Sequence, residues 1–279
     1  MRTFFRIVLI LASLTLLGVV VVVYILGQTD PAQQETLEQQ NFGEGIGEVD
    51  IGVENARVEM MPGDGEDTRI VLLGNDDDFT LNTEVAGGRL SIEVDDRSPF
   101  FNFDFTRSYT LQVHVPERGL DSLSAESANG TIEANGISVD ELALEADNGR
   151  IELESIDSGT VDAETDNGRI EVKNMEADIV ARSANGRIVF DDVSGDLTAQ
   201  ANNGRVELDT DTLDFPVDFE TDNGQISIRT DTEPLNARIE ARVDNGSIDV
   251  YGRDNEETVF GSGDVLIRLV SDNGSITVE

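Results

Sequence analysis

The chain has 279 residues, with 57 Asp and Glu against 19 Lys and Arg for a formal net charge of -38, one His and no Cys. Such a charge repels phosphate backbones and anionic headgroups, which excludes a nucleic-acid partner. The missing thiols and the single imidazole, His114, exclude disulfide staples, thiolate metal sites and a His-based triad within one chain.

Ile7 to Gly27 is an uncharged apolar run, long enough at about 1.5 Å per residue to cross a hydrocarbon core of roughly 30 Å. Arg2 and Arg6 precede it and Asp30 and Glu35 follow it, which keeps the N-terminus cytoplasmic and exports everything after Gly27. Val19 to Leu26 is too bulky for a cleavage site, so residues 1–27 read as a single-pass anchor in the cell membrane; a cleaved signal would make the protein secreted. Residues 28–45, rich in Gln and Glu and then Gly, read as a flexible, solvated linker.

Residues 46–118 read as an irregular β region, with strands near Val49–Val53, Arg57–Met60, Arg69–Leu73, Phe79–Val85, Arg89–Val94 and Tyr109–Val115. His114 alternates with Val113 and Val115 as a strand residue does, which favours a structural role. Between two of these strands Phe100, Phe101, Phe103 and Phe105 form the densest aromatic stretch. It is a candidate partner patch or a cap on the hydrophobic end of the body.

Residues 119–279 repeat. Asn-Gly pairs recur at Asn129-Gly130, Asn148-Gly149, Asn167-Gly168, Asn185-Gly186, Asn203-Gly204, Asn223-Gly224, Asn245-Gly246 and Asn273-Gly274, at intervals of 19, 19, 18, 18, 20, 22 and 28 residues. Alternating apolar residues flank each pair, as with Val161, Ala163, Ile170 and Val172 around Asn167, so one face of every repeat is buried. Asn-Gly between alternating strands is also a hairpin signal, which keeps an antiparallel meander in play. A β-solenoid accounts better for the mostly small residue two before each Asn, such as Ala146, Thr165 and Ser183. It would also stack the Asn side chains at roughly 4.8 Å as an amide ladder, with glycine supplying positive φ at the corners.

In that solenoid Arg150, Arg169, Arg187 and Arg205 form a column that Asp147, Asp166 and neighbouring carboxylates would neutralise, and the last strand, ending at Glu279, would be an open edge. Asp-Asn-Gly triplets such as Asp147 to Gly149 invite a calcium reading, but turn chemistry explains them and the nine-residue period of calcium-binding solenoids is absent. No metal and no cofactor are expected. Carboxylate pairs are too numerous to mark a glycosidase, and no Trp is present to build a sugar platform.

Together the segment ending Met61-Pro62-Gly63-Asp64-Gly65, the strand Gly88-Arg89-Leu90-Ser91-Ile92-Glu93-Val94, the strand Leu111 to Pro116 and the run Leu123-Ser124-Ala125-Glu126-Ser127-Ala128-Asn129-Gly130 resemble the putative adhesin family of cell-envelope proteins. The resemblance implies a right-handed β-solenoid on the outer side of a membrane, and carries no catalytic residues. The expected protein is non-enzymatic: an acidic, membrane-anchored, extracytoplasmic β-solenoid serving as a binding or scaffold module toward a cell-surface, glycan or envelope-protein partner. The alternative is an envelope regulator or sensor acting through a membrane partner. Lys173 as the only lysine, within so acidic a chain, matches proteins of salt-loving organisms, whose carboxylates hold water while salt screens their repulsion.

Overall fold

The computed structural model describes residues 34–43, 45–97 and 108–279. The expected anchor at 1–27, the start of the linker and the patch at Phe100, Phe101, Phe103 and Phe105 lie outside the described residues. Among the described residues no helix is long and apolar enough to cross a membrane.

The described chain is all β. In order it forms β1 (Glu35–Phe42), β2 (Glu48–Pro62), β3 (Thr68–Gly74), β4 (Phe79–Ala86), β5 (Arg89–Asp96), β6 (Tyr109–Val115), β7 (Leu120–Asn135), β8 (Ser138–Glu154), β9 (Asp157–Glu176), β10 (Asp178–Ser194), β11 (Leu197–Thr210), β12 (Val217–Thr230), β13 (Ala237–Val250), β14 (Glu257–Val259) and β15 (Val265–Val278). They make one open, solenoid-like sheet in the order β1-β3-β6-β2-β7-β8-β9-β10-β11-β12-β15-β13-β14, with β5 also on β2 and β4 on β5. Residues 35–42, expected in the linker, are built into this sheet as β1, antiparallel to β3.

From β2 to β13 the long strands are parallel and in register, which disposes of the meander. Ile179, Ala181, Ile188 and Phe190 of β10 stand beside Val161, Ala163, Ile170 and Val172 of β9 and beside Leu197, Ala199, Val206 and Leu208 of β11. All twelve of these residues are buried. Only the inward set of a period-2 pattern can satisfy parallel neighbours on both sides, so a slip of one residue would expose a whole rung.

A second corner closes the rungs of β7, β8, β9 and β10. Ser155, Asn174 and Asp192 take φ of 55°, 52° and 52° and Gly136 takes 64°, a left-handed conformation that Asn and Asp tolerate better than most residues. The next residues, Ile137, Ile156, Met175 and Val193, then turn into the core. Asn135-Gly136, an Asn-Gly pair out of phase with the others, belongs to this corner rather than to the repeating column.

Rung order departs from chain order at the end. β15 lies between β12 and β13, so Asn273 pairs with Asn223 on one side and Asn245 on the other. Glu279 is therefore not the open edge: its N–H donates to the Ile228 carbonyl at 3.0 Å. The outermost long strand is β13, covered at Arg238–Glu240 by β14 and flanked by Tyr251 and Phe260, whose rings meet edge to face at 5.6 Å. The 28-residue interval before Asn273 holds this cap and the return of the chain.

Candidate functional site

The stack converts sequence repeats into columns. Asn129, Asn148, Asn167, Asn185, Asn203 and Asn223 each donate from Nδ2 to Oδ1 of the Asn before, at 3.0 to 3.3 Å. Asn273 then donates to Asn223 and Asn245 to Asn273, both at 3.1 Å. The amide ladder thus forms, and it starts one rung early, on Asn55 of β2. Val53-Glu54-Asn55-Ala56 carries the signal in sequence, but Ala56 replaces the glycine that marks the other rungs. Asn185→Ala removes two ladder bonds, and urea unfolding is expected to show a loss of about 1 to 2 kcal/mol.

Positive φ, expected at every corner glycine, is found at Gly130 (151°) and Gly246 (159°), and the other six serve a different purpose. Gly149, Gly168, Gly186, Gly204, Gly224 and Gly274 do not take left-handed φ. A Cβ at Gly168, Gly186 or Gly204 would instead stand 1.7 to 1.9 Å from the carbonyl oxygen of the preceding glycine. Neighbouring backbones approach so closely at this column that no side chain fits.

Two positions after the Asn, the arginines stand in register, but their partners are not Asp147 and Asp166. Arg150 pairs with Glu152 at 2.9 Å, Arg169 with Glu171 at 3.1 Å, and Arg205 with Glu207 at 3.2 Å. Strand alternation explains this, since residues two apart share a face. Val189 occupies the glutamate position beside Arg187, which reaches across to Glu207 instead. Burial alone would raise the Glu207 carboxyl, but the hydrogen bond and charge of Arg187, then those of Arg205, hold it below the usual carboxylate range. Glu171 is likewise held low, by Lys173 and Arg169 against the opposing effect of burial.

On the other outer face Glu126, Glu145 and Glu164 are direct cross-strand neighbours with no basic residue between them. Burial first, and then the charges of Glu126, Glu164, Asp147 and Asp166, push the Glu145 carboxyl up. The signs oppose. Protonating Glu145 as pH falls through its raised pKa relieves repulsion, whereas Glu171 and Glu207 contribute stability above the unfolded carboxylate pKa and lose it as pH falls through their depressed values. At low salt the melting temperature is expected to rise as pH falls toward the ordinary carboxylate pKa, where Glu145 takes up its proton ahead of a normal glutamate, and to fall once the pH drops below it, as Glu171 and Glu207 are protonated. Calorimetry in molar salt should flatten the first limb, because salt screens the repulsion that drives it.

This face ends in a cleft of about 860 Å³. It opens where β2 changes partners: β5 pairs with Glu48–Gly52 and β6 with Arg57–Pro62, leaving residues 53–56 without a strand on that side. Tyr109 fills part of the gap. Its ring lies 4.8 Å from that of Phe79. Burial pushes the Tyr109 pKa up. Nothing in the sequence pattern marks this cleft, since Phe79, Tyr109 and the carboxylates meet only through the split pairing of β2. His114 lies outside it, with Nδ1 3.0 Å from Arg69 Nη2; burial and that positive charge hold its pKa down.

A family model described as Toastrack DUF4097 matches residues 46–279. The chain belongs to the Toastrack DUF4097 family. Solved structures similar to this Toastrack chain include a putative adhesin from Bacteroides fragilis (15% identity, TM-score 0.49, covering 86% of this chain and 95% of that one). Others are a putative lipid binding protein from Parabacteroides distasonis (16%, 0.45, 86% and 93%) and a putative adhesin from Parabacteroides merdae (8%, 0.43, 88% and 96%). No curated protein matches the Toastrack chain. The family and the described strands agree with the resemblance read from the sequence.

Proposed function

We propose that this Toastrack protein is a non-enzymatic, membrane-anchored module of the cell surface whose right-handed solenoid binds or scaffolds other envelope components. The observation that carries this reading is the strict register of the outward columns. Identical or like-charged side chains recur on adjacent strands along both outer faces, an arrangement suited to many weak contacts with a repetitive partner. The apolar run Ile7 to Gly27 supports an anchor with the sheet outside the membrane. The acidic, lysine-poor composition supports operation in high salt.

The regulatory reading has an observation of its own. β1 begins at Glu35, so only residues 28–34 separate the apolar run from the sheet. At most roughly 3.5 Å per residue, those seven residues span about 25 Å. A load on the sheet would therefore reach the membrane segment over a short distance.

The test compares the full-length protein with fragment 34–279, which retains β1. Saturable attachment of the fragment to cells or isolated envelope polymers is the expected result. A fragment that attaches to nothing, beside a full-length protein that retains one membrane protein, would replace the surface-binding reading with the regulatory one.

A further inference from the structure

The Asn-Gly pairs of the ladder share a reactivity as well as a shape. With no side chain on the glycine, its backbone nitrogen can approach the side-chain carbonyl carbon of the preceding Asn and close a five-membered ring. Closure requires the Asn side chain to leave its hydrogen bonds and the local backbone to move. Most of the stack resists both. From Asn129 to Asn223, and at Asn273, each ladder Asn donates to one neighbour and accepts from the next.

Asn245-Gly246 departs from the others in three respects. Asn245 donates to Asn273 at 3.1 Å, but among the described residues its Oδ1 accepts from none, because the ladder ends there. Gly246 is exposed, whereas the glycine of every other ladder pair is half-buried. The third respect is the edge. β14 covers Arg238–Glu240, Ala241 N–H donates to the Glu256 carbonyl and Val250 bridges to Arg253, so residues 242–249 have β15 on one side and no strand on the other. A strand paired on one side opens locally at lower free energy than one paired on both.

Two other positions compete and are held back. Asn135-Gly136 is exposed at both residues, but the Gly136 nitrogen, which would be the nucleophile, donates to the Glu154 carbonyl at 3.0 Å, and Asn135 Nδ2 donates to Glu154 Oε2 at 3.1 Å. Asn55, at the opposite end of the ladder, only accepts. Ala56 follows it, and its methyl group obstructs the approach that glycine permits.

We propose that Asn245 is a modification site, at which the folded protein deamidates itself in preference to every other Asn-Gly of the stack. The Gly246 nitrogen forms a bond to Asn245 Cγ and gives up its proton to solvent. The Cγ–Nδ2 bond breaks, and the departing nitrogen takes a proton from solvent and leaves as ammonia. Water then opens the cyclic imide, at Cγ to give aspartate or at the backbone carbonyl to give isoaspartate. Either product adds a negative charge and replaces the donor to Asn273 Oδ1 with an acceptor, so the outermost rung loses its ladder bond. Isoaspartate also inserts a carbon into the β13 backbone. The site depends on the end of the ladder and not on what the outer faces bind, so it stands or falls apart from the surface-binding reading.

The test is peptide mapping by mass spectrometry of the purified full-length protein, aged at mildly alkaline pH both folded and in urea. In the folded protein Asn245 is expected to convert at least about tenfold faster than Asn148, Asn167 or Asn185, which are held by two ladder bonds and two strands. In urea, where ladder and edge are gone, the rates should converge to within about threefold. Asn245→Asp, which imitates one product, leaves Asn273 as the last ladder amide and should raise the rate at Asn273 while that at Asn167 stays unchanged. Conversion of folded Asn245 no faster than that of the interior rungs or of Asn135, a preference for Asn245 that persists in urea, or equal acceleration at Asn167 in the variant would each overturn the proposal.

Discussion

Gly186→Ala is expected to unfold the Toastrack sheet or destabilise it by more than about 4 kcal/mol in urea denaturation, far beyond the helix or strand preference of either residue. The added Cβ would stand 1.9 Å from the Gly168 carbonyl oxygen and 2.7 Å from Ser183 Oγ. Relief would require β9 and β10 to separate, breaking the parallel pairing that runs along both strands. Two controls isolate this cause. Gly252→Ala, at φ of +77° with nothing within 4 Å, meets only backbone strain and should cost about 1 to 2 kcal/mol. Ala56→Gly should change stability by less than about 1 kcal/mol, because Ala56 ends the glycine column where β5 and β6 leave β2 uncovered. If Gly186→Ala cost no more than Gly252→Ala, close backbone approach would not be what keeps the column glycine.

Phe190→Ala is expected to cost about 3 to 5 kcal/mol, and Phe219→Ala a similar amount. Both rings are fully buried and stack with centroids 5.5 Å apart and planes 12° from parallel. Phe219 shares its column with Ala199, which in turn stands beside Ala181, so small residues on two rungs leave the volume that the aromatic pair fills. Removing one ring leaves a cavity in the middle of the stack that fixed neighbouring strands cannot close. The double variant should cost less than the sum of the single ones, since each ring's packing depends on the other. Strict additivity in that cycle would refute the coupling.

Much of this architecture is legible in the residues because a parallel stack repeats one local environment. Every rung needs inward apolar residues at alternate positions, an Asn to extend the ladder and a glycine to let its neighbour approach, so the chain from Asn129 onward spells the same pattern eight times. Period, inward face and amide ladder follow from that pattern alone, and the family resemblance from it together with the segments near Met61, Gly88 and Leu111. The sequence also carries the acidic surface and the apolar N-terminal run without reference to a fold.

Other features depend on which strands meet, and pattern is silent there. Hairpin and solenoid corners use the same Asn-Gly pair, and only the parallel register of β9, β10 and β11 shows that the glycine serves backbone contact rather than a turn. β13 and β15 have equivalent motifs, so their exchange in the stack is set by the cap of β14, Tyr251 and Phe260, which covers one flank. Asn55 joins the ladder with Ala56 in the glycine position because the rung beyond it is missing at that point. The cleft arises from the same gap. Its carboxylates and rings are distant in sequence, and they come together only because β2 exchanges β5 for β6 midway along its length.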